Sequence, residues 1–179
     1  MLGFRYNTLL IVSILLFGYG CRHKKDAIKT VNKPKSNVVS GSAAFKEKMG
    51  LTNKEIKDNK LYSFINDWYG TPYKYGGCEK SGVDCSCFTI NLFEKVYNKK
   101  MPRTASEIYK ETEKIKIEKA QEGDLIFFKI NSKSITHVGV YLRDNKFVHA
   151  STTRGVLVNS LTETYYQKYF YAAGKLKNK

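Results

Sequence analysis

Between Tyr73 and Val96 the sequence passes from a glycine-punctuated loop into an amphipathic helix, and a cysteine stands at the junction. Gly76, Gly77 and Gly82 permit backbone turns that a side chain would resist. Past Cys85, the residues Phe88, Leu92 and Val96 recur every fourth position with Phe93 beside them, the apolar stripe of a helix over 85–97. Asp84 occupies the N-cap position, which puts Cys85 in the first turn. A thiol there meets unpaired N–H groups and the positive end of the helix dipole, and both favour the thiolate. Cys85 is therefore a candidate nucleophile. A lone cysteine is more commonly a buried structural residue. The glycine-rich approach and two histidines downstream favour the nucleophile.

Around this junction the chain reads as helices first and strands after. Ile56, Leu61, Phe64, Ile65 and Trp68 form an apolar face within a helical stretch from about Phe45 to Tyr69, with Thr52 and Asn53 as caps. Gly70-Thr71-Pro72 stops it. A short helix over 104–112 follows Pro102. Leu125-Ile126-Phe127-Phe128 is a continuous apolar run and suits a strand buried on both faces. Residues 135–141 and 146–151 flank Arg143-Asp144-Asn145 and read as a hairpin. Val156-Leu157-Val158 is a further strand, and Tyr169-Phe170-Tyr171-Ala172 closes the sheet. This order is that of an α+β domain with an antiparallel sheet.

His137 and His149 fall on the two arms of the hairpin. With the turn centred on Arg143 they face each other, with Cβ atoms about 4.5–5.5 Å apart. A one-residue slip would send one of them to the other face, and the sequence leaves that register open. Two opposed histidines and a cysteine at a helix start suggest nucleophile, base and orienting group; the plainer alternative is a pair of hydrogen-bonded surface histidines. His23 lies apart from them and takes no role.

The N-terminus reads as an export signal. Arg5 precedes the apolar run Leu9–Phe17, which is shorter than the about 20 residues a membrane-spanning helix needs. Gly18-Tyr19-Gly20 before Cys21 resembles a bacterial lipobox, with Gly18 where leucine is usual. In that family the cysteine is lipidated and becomes the new N-terminus, so residues 1–21 are expected to be a lipoprotein-type signal ending at Cys21. Residues 22–44 carry six basic residues against Asp26 alone and read as a flexible linker; residues 45–179 form the domain. The net charge of +15, from 31 Lys+Arg and 16 Asp+Glu, suits an anionic envelope, whether lipid head groups or wall polymers. A basic helix interleaved with stacking aromatics is lacking, which argues against nucleic acid.

Several motifs, in order and spacing, resemble the NlpC family of bacterial cell-wall cysteine peptidases. They are Tyr73-Lys74-Tyr75-Gly76-Gly77, Val83-Asp84-Cys85-Ser86, Pro102-Arg103-Thr104, Gly123-Asp124-Leu125-Ile126-Phe127-Phe128, His137-Val138-Gly139-Val140-Tyr141-Leu142 and Phe147-Val148-His149-Ala150-Ser151. The match covers about residues 58–175. It implies a papain-like fold, a nucleophile helix packed on an antiparallel β-sheet. It also implies hydrolysis of amide bonds in peptidoglycan stem peptides, typically between γ-D-glutamyl and a diamino acid, through a thioester. The resemblance assigns Cys85 as nucleophile, His137 as general base and His149 as its orienting group. Tyr73 would serve the oxyanion side, and Asp84, Ser86 and Arg103 the substrate side. Peptidoglycan or muropeptides are then the partners and the cell envelope the location, with a lipid anchor to a membrane and no cofactor. Departures from the family pattern are Cys87, Cys78, Ala105 and Ile108. Other thiol chemistry on the same fold, an amidase or acyltransferase, and a non-catalytic wall-binding module are the alternatives.

Cys78 and Cys87 remain. The spacing Cys-x6-Cys-x-Cys is not that of a zinc knuckle, so no metal is expected. Cys87 points about 200° away from Cys85 around the helix. A Cys78–Cys87 bridge would leave Cys85 as the free thiol in an oxidising compartment, provided the Cα atoms come within about 7 Å. The alternative is two small buried thiols.

Overall fold

The computed structural model describes residues 57–177. Helix α1, Asn59–Trp68, starts where the Asp58 carboxylate accepts from the Leu61 N–H at 3.0 Å. It buries Leu61, Tyr62, Ile65 and Trp68, while Phe64 stacks on Trp68. The expected caps Thr52 and Asn53 lie outside the described residues; within these, the helix begins at Asn59 because Asp58 caps it. A two-residue hairpin of β1, Cys78–Glu79, and β2, Gly82–Val83, leads into α2, Cys85–Tyr97. Helix α2 ends at Asn98, in the left-handed region at φ 53°. Helix α3, Ala105–Lys110, is shorter than expected and owes its start to Thr104 rather than Pro102: the Thr104 hydroxyl and the Glu107 side chain form a reciprocal capping box.

The remaining strands are β3 (Thr112–Ile115), β4 (Leu125–Phe128), β5 (His137–Tyr141), β6 (Lys146–Ser151), β7 (Gly155–Ser160) and β8 (Phe170–Leu176). Helix α4, Thr164–Tyr169, precedes β8. The sheet order is β3-β8-β4-β5-β6-β7, antiparallel at each pairing. The C-terminal strand, expected to close the sheet, lies inside it between β3 and β4. Strand β3 was not anticipated, since Glu113 and Lys114 are exposed and its sequence lacks an apolar run. Helix α4, with only Tyr166 buried, was missed for the same reason.

Strand β4 is buried on both faces, as its apolar run implies. Leu125 and Phe127 join the cluster formed with α1 and α2, which includes Phe88, Leu92, Val138, Val140, Val148 and Ala150. Ile126 and Phe128 face the opposite cluster, with Tyr141, Phe147, Leu161 and Tyr166. The expected layering, a helix carrying the cysteine on one face of an antiparallel sheet, is what forms.

The hairpin register differs from the expected one. Asp144 and Asn145 both adopt positive φ, 49° and 58°, and the Lys146 N–H donates to the Arg143 carbonyl at 2.8 Å. Asp and Asn tolerate this conformation better than other side chains. The ladder therefore pairs Val140 with Val148 and Tyr141 with Phe147, centred on Asp144 instead of Arg143. The paired residues end at Val140 and Val148, and continuing the same register would set His149 across from Gly139 with His137 two residues further along that face. The slip is even, so both histidines keep a common face.

Candidate active site

The loop before α2 is folded tightly onto the helix start. A Cβ on Gly77 would come within 2.3 Å of the Gly82 carbonyl oxygen, so only glycine fits there. Lys74 N–H donates to the Val83 carbonyl, and Val83 N–H to that of Pro72, which fixes Tyr73 beside β2. Asp84 caps α2 as the sequence implies: its Oδ1 accepts from the Cys87 N–H at 2.7 Å and its Oδ2 from the Gly76 N–H at 3.1 Å. Cys87 is bridged to Cys78 across this loop, with Cα atoms 5.2 Å apart, and Cys85 is the free thiol among the described residues. The two bridged sulfurs are thereby unavailable as metal ligands.

Cys85 is buried at 7% exposure. Burial pushes its thiol up to about 11, with the Asp84 charge adding to the rise. The backbone N–H groups of Val138, Ser86 and Cys85 act in the opposite direction without overcoming it. The sequence reading expected the helix start to favour the thiolate; desolvation outweighs that effect, because a charge at this depth loses its hydration. The contact with Val138 also fixes the sulfur against β5, next in the chain to His137.

The residues expected on the substrate side form one connected cluster. Arg103 forks over Asp84, with Nη2–Oδ2 at 2.5 Å and Nη1–Oδ1 at 3.2 Å. The same Nη1 donates to Ser86 Oγ at 2.7 Å, and Ser86 Oγ donates to Asp84 Oδ1 at 2.9 Å. Arg103 was expected on the substrate side; its guanidinium is paired with Asp84 within the protein. Burial alone would raise the Asp84 carboxyl, but the Arg103 fork, the Cys87 amide and the Ser86 hydroxyl outweigh it and hold the group below its ordinary range. The Tyr73 hydroxyl lies within the same electrostatic field: burial raises its pKa first, then the neighbouring Cys85 and Asp84.

His137 and His149 are brought together. His137 Nε2 lies 2.8 Å from His149 Nδ1, with the rings nearly perpendicular at 89°. They are buried, not surface, histidines, at 6% and 1% exposure. Burial holds His137 well below the ordinary histidine value, and the neighbouring His149 adds to this. Burial likewise lowers His149 to about 4, although Asn159 opposes the shift. Both imidazoles are therefore neutral near pH 7.

Behind them lies a set of polar residues that the sequence reading missed. His149 Nε2 is 3.0 Å from Asn159 Oδ1 and 3.1 Å from the Tyr166 hydroxyl. Asn159 Nδ2 donates to both carboxylate oxygens of Glu163 at 2.9 Å. The one signal in the sequence was a polar residue, Asn159, continuing the apolar run Val156-Leu157-Val158. Cys21 lies outside the described residues, within which no helix is long and apolar enough to cross a membrane.

Comparison with known proteins bears on this arrangement. Residues 70–175 match the sequence model of the NlpC/P60 family. The chain is 32% identical over 174 residues to a probable endopeptidase NlpC of Escherichia coli K12, covering 96% of this chain and 99% of that protein. It is 34% identical over 126 residues to an E. coli K12 protein named murein DD-endopeptidase MepS/murein LD-carboxypeptidase, covering 70% of this chain and 66% of that one. A solved structure of an NLP/P60 family protein, similar to lipoprotein, from Staphylococcus aureus Mu50 matches with a TM-score of 0.62 at 29% identity. That match covers 74% of this chain and 47% of the other, so the chain spans about half of its length.

Proposed function

The chain belongs to the NlpC/P60 family and has its papain-like fold, and from this we propose that it is a cysteine endopeptidase hydrolysing amide bonds in peptidoglycan stem peptides. The observation that carries the proposal is the position of Cys85 at the start of α2 against the Val138 amide, next in the chain to His137, whose ring is paired with that of His149. In the proposed reaction Cys85 Sγ bonds to the amide carbonyl carbon as its proton passes to His137. Backbone N–H groups at the helix start and the Tyr73 hydroxyl stabilise the oxyanion. The C–N bond then breaks, His137 gives its proton to the leaving amine, and a thioester remains. Water attacks the thioester with His137 as base, the C–S bond breaks, and the proton returns to sulfur. Because thiol and imidazole are both neutral at rest, proton transfer accompanies attack rather than preceding it.

Asp84, Ser86 and Arg103 act in this reading as one pre-ordered wall of the substrate site. The expected bond lies between γ-D-glutamyl and a diamino acid. The E. coli relative is named for DD-endopeptidase and LD-carboxypeptidase activities, and product masses separate these outcomes. Residues 1–21 are proposed as a lipoprotein signal with lipidated Cys21, and residues 22–44 as the tether that holds the domain, residues 45–179, near a membrane of the envelope.

Mass spectrometry of purified muropeptides incubated with the protein tests the proposal. Fragments split between D-glutamate and the diamino acid are expected, absent with Cys85→Ala and nearly absent with His137→Ala. Unchanged muropeptides with the native protein, or full activity in Cys85→Ala, would overturn it; retention of muropeptides without cleavage would favour a wall-binding module.

A further inference from the structure

We propose that Asn159 and Glu163 are positioning residues that select which ring nitrogens of the His137–His149 pair carry hydrogen. Glu163 is the anchor. An ionised carboxylate only accepts, so the Asn159 amide nitrogen, 2.9 Å from both Glu163 oxygens, must be the end that faces it. Glu163 is itself held by the Ser160 N–H at 2.7 Å. The amide is thus oriented with Oδ1 towards His149 Nε2 at 3.0 Å.

The orientation propagates. A carbonyl oxygen cannot donate, so His149 Nε2 must carry the hydrogen. In the neutral ring that leaves the lone pair on Nδ1. This lone pair lies 2.8 Å from His137 Nε2, which must then carry the hydrogen between the rings. The second nitrogen of His137, Nδ1, is left with its lone pair and is the nitrogen able to take a proton. The opposite arrangement would place a hydrogen on His137 Nδ1 and leave no base. The Tyr166 hydroxyl, 3.1 Å from His149 Nε2 and donating to Asn159 Oδ1 at 3.2 Å, cannot make this choice alone, because a hydroxyl both donates and accepts. Arg154 Nη2, at 3.5 Å from Asn159 Oδ1, adds a donor to the same oxygen and reinforces its role as acceptor. Asn159, His149 and Tyr166 are all buried, so water cannot substitute for the amide.

The consequence for catalysis rests on the peptidase reading; the hydrogen placement does not. Two measurements separate them. Long-range proton–nitrogen NMR of protein labelled at histidine nitrogens should show His149 protonated on Nε2 alone and His137 on Nε2 alone. A wild-type spectrum with His149 protonated on Nδ1 would overturn the proposal whatever the activity. In Glu163→Gln the new amide can donate as well as accept, which lets Asn159 turn over. A second histidine tautomer should then appear and kcat on muropeptide should fall about tenfold, part of the about 10²–10⁴-fold a general base supplies, with KM unchanged. Adding Asn159→Asp to Glu163→Gln should restore a single tautomer and recover kcat. The carboxylate then placed beside His149 offers it only acceptors, while the introduced glutamine amide donates to that carboxylate. A Glu163→Gln protein that keeps the wild-type tautomer, at either normal or reduced kcat, would overturn the proposal. If the native protein cleaves nothing, the peptidase reading fails and the NMR arms alone decide.

Discussion

Nε2 of His137 lies 2.8 Å from Nδ1 of His149, although the paired residues of their two strands are Val140 with Val148 and Tyr141 with Phe147 and include neither histidine. Gly139 makes room for this. A Cβ at that position would come within 2.7 Å of the Phe147 ring and 3.3 Å of the His149 Cβ. Both rings are buried, and burial holds them neutral at rest.

This neutrality sets the pH dependence. His137 can accept a proton only when neutral, and its pKa is depressed below 6.5 by burial and by His149. The acid limb of kcat/KM on muropeptide should therefore fall below pH 6.5. Cys85, pushed up to about 11, stays a thiol across the neutral range, so the rate should not climb with thiolate formation near pH 8–9, the ordinary cysteine range. A limb at or above 6.5 would contradict the lowering of His137 by burial.

The disulfide gives a thiol count. In a Cys21→Ser background under denaturing, non-reducing conditions, an alkylating reagent should label one cysteine, and three after reduction. Closing a short loop of nine residues' separation contributes about 2–3 kcal/mol in the chain-entropy view. Reduction should lower the urea midpoint accordingly; labelling of three thiols without reductant would show that Cys78 and Cys87 are unpaired.

Asp84 is expected to matter for stability as well as substrate. It caps α2 and anchors Gly76, Ser86 and Arg103 at once. Asp84→Ala should cost about 1–2 kcal/mol from the cap alone. Asp84→Asn keeps an oxygen for the Cys87 N–H and should cost less. Equal urea midpoints for the wild type and the alanine variant would remove the cap from the account.

Cys21 is predicted to carry lipid. Cys21→Ser should shift the protein from the membrane fraction to the soluble one, or leave an unprocessed precursor. An unchanged distribution with normal processing would count against the anchor.

What the sequence determined by itself was local. The N-cap at Asp84, the helix from Cys85 to Tyr97 and the two-faced burial of Leu125–Phe128 depend on neighbours a few residues apart, and each was legible. The common face of His137 and His149 was an expectation that depended on a register the sequence left open, and the folded hairpin supplied that register. Tertiary structure decided the rest. The turn conformation of Asp144 and Asn145 moved the hairpin register by an even step, and packing placed β8 between β3 and β4. Arg103 paired with Asp84, 19 residues away, and Glu163 reached the histidines through the Asn159 amide. The direction of the Cys85 shift was decided there too. A cap depends on the residue three positions on, whereas desolvation depends on everything packed around an atom, and that is known only once the chain has folded.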